Sequence, residues 1–234
     1  TPKPSSAASD VYKRQVLGTI SKAKNALWDA PMFAKNADPD NYFEERAARV
    51  YRHYEESLTR NNALDFDDLL MKSVQLLREF PEVKKKYQDR YQYIMVDEFQ
   101  DTNTAQYQLA KLLGESHKNI CVVGDPDQSI YSWRSADIRN ILSFQQDYAQ
   151  SKTITLDQNY RSTSTILDAA KNLISINGQR IPKDLFTDND KGEKVQVREA
   201  YDEGEEAAFV VSESARLVRE DGFNPGDCAI MYRV

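Results

Sequence analysis

None of the eight glycines opens a Gly-x-x-x-x-Gly-Lys-Ser/Thr phosphate loop, so these residues contain no backbone cradle of that kind for a β- or γ-phosphate. Nowhere do about eighteen apolar residues follow one another, which excludes a membrane-spanning helix, and no basic start leads into an apolar stretch that would read as a secretion signal. There are only two cysteines, Cys121 and Cys228, each inside apolar text. That count excludes a disulfide scaffold and predicts reduced, buried thiols in a cytoplasmic protein. Positive charge is in deficit, 31 Lys and Arg against 37 Asp and Glu for a net −6. The balance excludes a polycation that grips nucleic acid by bulk electrostatics and leaves open a local groove with a few cations and stacking aromatics. Of the two histidines, His53 lies off the apolar stripe of its helix and is expected to be an exposed side chain without ligand partners.

What is present is ordinary for a soluble globular chain: 234 residues, 40% hydrophobic and 29% charged, enough for one large or two modest cores. Residues 1–15 hold two prolines and three serines and are expected to be a disordered or non-native tail. Helical spacing follows. Val16, Leu17, Ile20, Ala23 and Leu27 form one stripe, and Phe43, Ala47, Val50, Tyr51, Tyr54 and Leu58 a second. A third, with Asp65 as a candidate N-cap, would bury Phe66, Leu69, Leu70, Val74 and Leu77.

From residue 91 the text changes to alternating strand and helix. Strands are expected at 93–96, 120–123, 153–156, 195–199 and 228–232, and helices near 104–113, 135–148, 164–176 and 205–219; the helix at 164–176 would turn Ile166, Leu167, Ala170, Leu173 and Ile174 inward. Such alternation predicts an α/β fold with a parallel sheet, preceded by an all-helical subdomain. The polar stretches 178–192 and 221–227 read as surface connections.

The first three strand candidates each end in polar residues: Asp97-Glu98-Phe99-Gln100-Asp101-Thr102, then Gly124-Asp125-Pro126-Asp127-Gln128-Ser129-Ile130-Tyr131-Ser132-Trp133-Arg134, then Asp157-Gln158-Asn159-Tyr160-Arg161-Ser162. Strand carboxyl ends are where open α/β sheets bind ligands. Two adjacent carboxylates there can divide a task, one holding Mg²⁺ and the other taking a proton from an attacking water.

Residues 96–102, 123–137 and 156–162 resemble, in order, the second, third and fourth motifs of superfamily 1 DNA helicases, and the text around them resembles the bacterial PcrA/UvrD/Rep group. The resemblance runs from about Phe43 to Val234 and is densest between Asp65 and Ser162. It implies RecA-like parallel sheets, with ATP and Mg²⁺ between two lobes and single-stranded and duplex DNA as partners. The domains it suggests are a helical subdomain over 16–90, part of a first lobe over 91–150 and the start of a second over 151–234. Because the family's phosphate loop lies upstream of these motifs, the chain is expected to be an internal fragment, unable to hydrolyse ATP alone, of an enzyme that unwinds DNA in the 3′-to-5′ direction.

The resemblance also implies roles, residue by residue. Asp97 would hold the metal, Glu98 would be the catalytic base, and Gln128 would sense the γ-phosphate with Asp125 supporting its loop. Arg161 would reach the γ-phosphate from the second lobe and Tyr160 would stack on adenine. Tyr131 and Trp133 would contact bases of single-stranded DNA, and Arg134 would hold a DNA phosphate or pair with an acid between lobes. The acidic residues Asp65, Asp67 and Asp68 resemble a family segment but also suit the first turn of any helix. Ser135 stands where glycine is frequent in the group; as a helix N-cap it is expected to be of little consequence. Two alternatives remain at this level: the helicase portion of a RecB/AddA-like nuclease, and a non-catalytic DNA- or protein-binding module of the same fold.

Overall fold

The first three helices are set by caps and small apolar contacts. In the computed structural model, which describes residues 6–178 and 180–232, α1 (Ser6–Asn25), α2 (Ala30–Asn36) and α3 (Tyr42–Arg60) enclose a core of Val16, Ile20, Ala23, Ala30, Phe33, Ala47, Ala48 and Tyr51. Asp29 and Asn41 cap α2 and α3 with side-chain oxygens. Burying each large apolar side chain contributes about 1.5–3 kcal/mol.

Residues 6–15, expected to be a disordered or non-native tail, are helical, since α1 begins at Ser6; residues 1–5 lie outside the described residues. Ala7, Ala8, Lys13, Arg14 and Gln15 are good helix formers, and the Tyr12 ring meets Phe43 edge-on at 5.9 Å. Tertiary contact therefore extends the helix beyond its apolar stripe.

α4 (Phe66–Glu79) begins with a reciprocal capping box between Asp65 and Asp68. Its buried face is Asp68, Met71, Val74 and Leu77, whereas Phe66 and Leu69, both expected inside, are exposed. A buried cation turns the helix. Lys24 Nζ lies 2.6 Å from Glu55, 2.8 Å from Asp65 and 2.9 Å from Asp68, and 5.1 Å from the centre of the Tyr54 ring. Burial opposes the charge on Lys24, but hydrogen bonds to Asp65, Asp68 and Glu55 outweigh it and hold its pKa above the ordinary lysine range. Asn25 extends the cluster, donating to Asp67 at 2.9 Å and accepting from Asn103 at 2.5 Å.

After α5 (Pro81–Arg90), β1 (Ile94–Val96) pairs in parallel with β2 (Ile120–Val122), Ile94 opposite Ile120 and Val96 opposite Val122. The crossover between them is α6 (Thr104–Gly114), capped by an Asn103–Gln106 box. A second core of Phe99, Tyr107 and Phe144 sits beside this pair, with Phe99 at the centre of two edge-on aromatic contacts. The other face of the pair is open: Met95 and Cys121 are exposed there, so the thiol at 121 is not buried as expected, and Cys228 is half-buried.

The helix expected over 135–148 is two short ones, α7 (Arg139–Leu142) and α8 (Phe144–Asp147). Ser135 ahead of them is not an N-cap. It ends the 3₁₀ turn Ser132–Arg134 in a left-handed conformation, φ 67°, which is the backbone state that favours glycine.

Two compact units divide the chain, one of 1–157 with Ile174–Asp184 and one of Gln158–Leu173 with 185–234. The second contains α9 (Ser164–Ile174, its last residue in the first unit) and α10 (Glu203–Glu220), together with a parallel bridge between Gln158 and Phe186. The strands expected at 153–156, 195–199 and 228–232 are not formed among the described residues. Their large apolar residues are exposed, Val197 at 97%, and a parallel strand needs a hydrogen-bonded neighbour beside it and cover on the faces of the sheet. For the same reason α9 buries only Leu167; Ile166 and Leu173 are exposed. The architecture is thus mixed and helix-rich with a small parallel sheet. Among the described residues no helix is long and apolar enough to cross a membrane.

Candidate functional site

β1 delivers Asp97 and Glu98 to a loop that is fixed from beneath. Val123 donates to Val96 O at 2.8 Å and Phe99 donates to Val123 O at 2.9 Å, so the ends of both strands are tied together. Glu98 takes a left-handed conformation, φ 48°, a costly state for a non-glycine residue. Its backbone N–H donates to Asp97 Oδ1 at 2.9 Å. Both carboxylates are exposed.

The residue that joins the two loops is Gln100, to which the sequence reading assigned no role. Its side chain is 1% exposed. Nε2 donates to Glu98 Oε2 at 2.7 Å, and Oε1 accepts from the Asp125 backbone N–H at 2.9 Å. Gly124 leaves room for this bridge: a Cβ there would stand 2.6 Å from Gln100 Oε1 and 3.1 Å from Phe99 N. A buried amide that uses both ends in this way orients the groups it touches.

Asp125 passes the order on. It caps the 3₁₀ turn Pro126–Gln128 by accepting from Asp127 N–H at 3.0 Å, and it accepts from Gln128 Nε2 at 2.8 Å. Burial opposes its ionisation, but hydrogen bonds from Lys183, Gln128 and the Asp127 backbone outweigh that and hold its carboxyl below the usual range. Asp97, Glu98 and Gln128 are therefore brought onto neighbouring loops of one unit, with Glu98 and Gln128 connected through Gln100 and Asp125.

Three residues beyond Gln128 begins an aromatic platform. The rings of Tyr131 and Trp133 lie 6.2 Å apart, and the Arg134 guanidinium covers both, 5.3 and 4.5 Å from their centres. Trp133 is 65% exposed, as the polar residues around it led us to expect.

Tyr160 and Arg161 belong to the second unit. Asn159 Oδ1 accepts from the backbone N–H groups of Arg161 and Ser162 at 3.0 and 2.8 Å, a local turn on which both side chains are exposed. The Tyr160 hydroxyl donates to Gln158 at 2.7 Å.

No group of three or more His, Cys, Asp or Glu that could hold a metal exists among the described residues. Magnesium asks for less, one or two carboxylates completed by phosphate oxygens and water. Asp97 fits that demand, with one oxygen on the Glu98 N–H and the carboxylate exposed.

Residues 3–149 match the UvrD/REP helicase N-terminal domain, and residues 154–234 match the UvrD-like helicase C-terminal domain. The chain is 51% identical over 220 residues to the ATP-dependent DNA helicase PcrA of Staphylococcus aureus (strain Mu50) and 50% identical to that of Staphylococcus epidermidis (strain ATCC 12228). Each comparison covers 94% of this chain, which spans 30% of the length of those relatives.

Proposed function

Because this chain belongs to the UvrD/REP helicase family, we propose that it forms part of an ATP-dependent DNA helicase, with portions of two RecA-like lobes that couple ATP hydrolysis to movement along single-stranded DNA and to duplex unwinding. The observation that carries this reading is the hydrogen-bonded series Glu98, Gln100, Asp125, Gln128. A surface loop has no need of a buried amide that orders an exposed carboxylate and an exposed amide on neighbouring loops.

In this reading Asp97 holds Mg²⁺, which when bound offsets the negative charge of the phosphates. Glu98 orients the attacking water and accepts its proton. Gln128 suits a γ-phosphate contact because its amide donates to phosphate and accepts from water. Arg161 supplies a cation to the charge that develops during transfer, an effect of order 10³–10⁵ in rate in other NTPases. Tyr160 offers an exposed ring to adenine. Tyr131 and Trp133, with Arg134, stack on unpaired bases at about 1–3 kcal/mol each, so one loop carries the phosphate sensor and the DNA platform.

The test is strand polarity and nucleotide dependence in the full-length protein. ATP and magnesium together should drive unwinding of a duplex with a 3′ single-stranded tail but not one with a 5′ tail. The isolated chain should not hydrolyse ATP, since it contains no phosphate loop. Unwinding without nucleotide, or ATP turnover by this chain alone, would overturn the reading.

A further inference from the structure

The stretch 178–192 reads in sequence as a surface connection, but the structure builds part of it into the motif loop. The segment Ile174–Asp184 belongs to the first compact unit, although the chain on both sides of it, through Leu173 and from Leu185, belongs to the second. Lys183 Nζ pairs with Asp125 Oδ1 and lies 3.3 Å from Asp127 Oδ2, and Arg180 Nη2 lies 3.0 Å from the same Asp127 oxygen. Two cations thus balance two carboxylates. All four side chains are at least three-quarters buried, Asp127 most of all at 8% exposed.

These carboxylates flank the residue that matters. Asp125 Oδ2 accepts from Gln128 Nε2 while its Oδ1 is held by Lys183, and Asp127 is adjacent to Gln128 in the same 3₁₀ turn. We propose that Arg180 and Lys183 are positioning residues for Gln128: they fix the two aspartates, and Asp125 in turn fixes the amide that meets the γ-phosphate. This rests on the assignment of Gln128 given above. Its physical basis is that a largely buried carboxylate without its cation rotates toward water or takes up a proton, and in either case Gln128 loses a charge-assisted acceptor.

A positioning role has a signature that simple stabilisation lacks. In the full-length helicase, saturating single-stranded DNA and varied ATP should show Lys183→Met with kcat lowered about tenfold or more and KM for ATP within about twofold, since the interaction is realised in the transition state. Lys183→Arg, which keeps the charge, should recover most of the loss. In a Gln128→Ala background Lys183→Met should cost nothing further, because both changes remove one function. If Lys183→Met does not fold, Arg180→Gln, which acts through Asp127 alone, must give the same kcat loss and the same non-additivity. The inference is overturned, with the sensor assignment intact, if Gln128→Ala lowers kcat but the clamp variants do not, if the losses multiply, or if KM alone rises. A Gln128→Ala enzyme with wild-type kcat overturns both.

Discussion

Gln100 Nε2 lies 2.7 Å from Glu98 Oε2, with the amide buried and the carboxylate exposed. One end of the contact is therefore rigid and the other is available to a ligand, which is the arrangement a preorganised catalytic group requires.

Gln100→Glu tests that contact. It places a second carboxylate against Glu98, and two like charges at this distance raise the pKa of at least one of them. The acid limb of the kcat–pH profile of the full-length enzyme should move to higher pH by about one unit or more; an acid limb that stays where it is would show that Glu98 is not the base whose ionisation controls turnover.

Lys24→Met tests the helical core. The substitution leaves Asp68, whose side chain is 1% exposed, together with Glu55 and Asp65, without their cation. Removing one partner of a buried ion pair costs about 3–5 kcal/mol. Urea unfolding of the chain followed by circular dichroism should show a matching fall in midpoint. An unchanged midpoint would mean that the cluster contributes no net stability.

The acid dependence of folding follows from the carboxylates. Asp65, opposed by burial but favoured by Lys24, and Asp125, opposed by burial but favoured by Lys183, both titrate below the ordinary 3.8 in the folded chain. Depressed folded values stabilise the fold above the unfolded pKa and lose that contribution as pH falls through the folded values. Melting temperature should therefore decline with falling pH in the region below 3.8, and Lys183→Met should flatten the part of the decline that Asp125 contributes.

Ser135→Gly should stabilise the chain. The residue holds φ 67°, and a left-handed non-glycine residue costs about 1 kcal/mol or more. A gain of about 1 kcal/mol in urea unfolding is expected; a loss would mean that the serine side chain offsets its own backbone strain.

Trp133→Ala in the full-length enzyme should lower DNA-stimulated ATP hydrolysis more than basal hydrolysis, because the ring is exposed and shares Arg134 with Tyr131. Equal loss of both activities would remove Trp133 from the DNA contact.

Local chemistry was legible in the sequence: the N-cap at Asp65, the strands at 94–96 and 120–122, and the exposed ring of Trp133. What was not legible depends on partners distant in sequence. The face of α4 is decided by Lys24, forty-one residues before Asp65, and a lysine in a helical stripe gives no sign that it will be buried. The roles of Arg180 and Lys183 depend on acids more than fifty residues earlier. The strand expectations at 195–199 and 228–232 rested on apolar composition, which does not supply the hydrogen-bonded neighbour that a parallel strand requires. Ser135 was misread because an N-cap serine and a left-handed serine look alike in sequence.

The most direct measurement of the central claim separates nucleotide binding from nucleotide hydrolysis in full-length Glu98→Gln. The amide keeps the shape of the side chain and loses its basicity. The account predicts that a fluorescent ATP analogue binds within a few-fold of the unsubstituted affinity while single-turnover hydrolysis falls by about 10² or more. Hydrolysis that continues at the original rate, or binding that is lost along with it, would contradict the assignment of Glu98 as the base beside an otherwise intact ATP site.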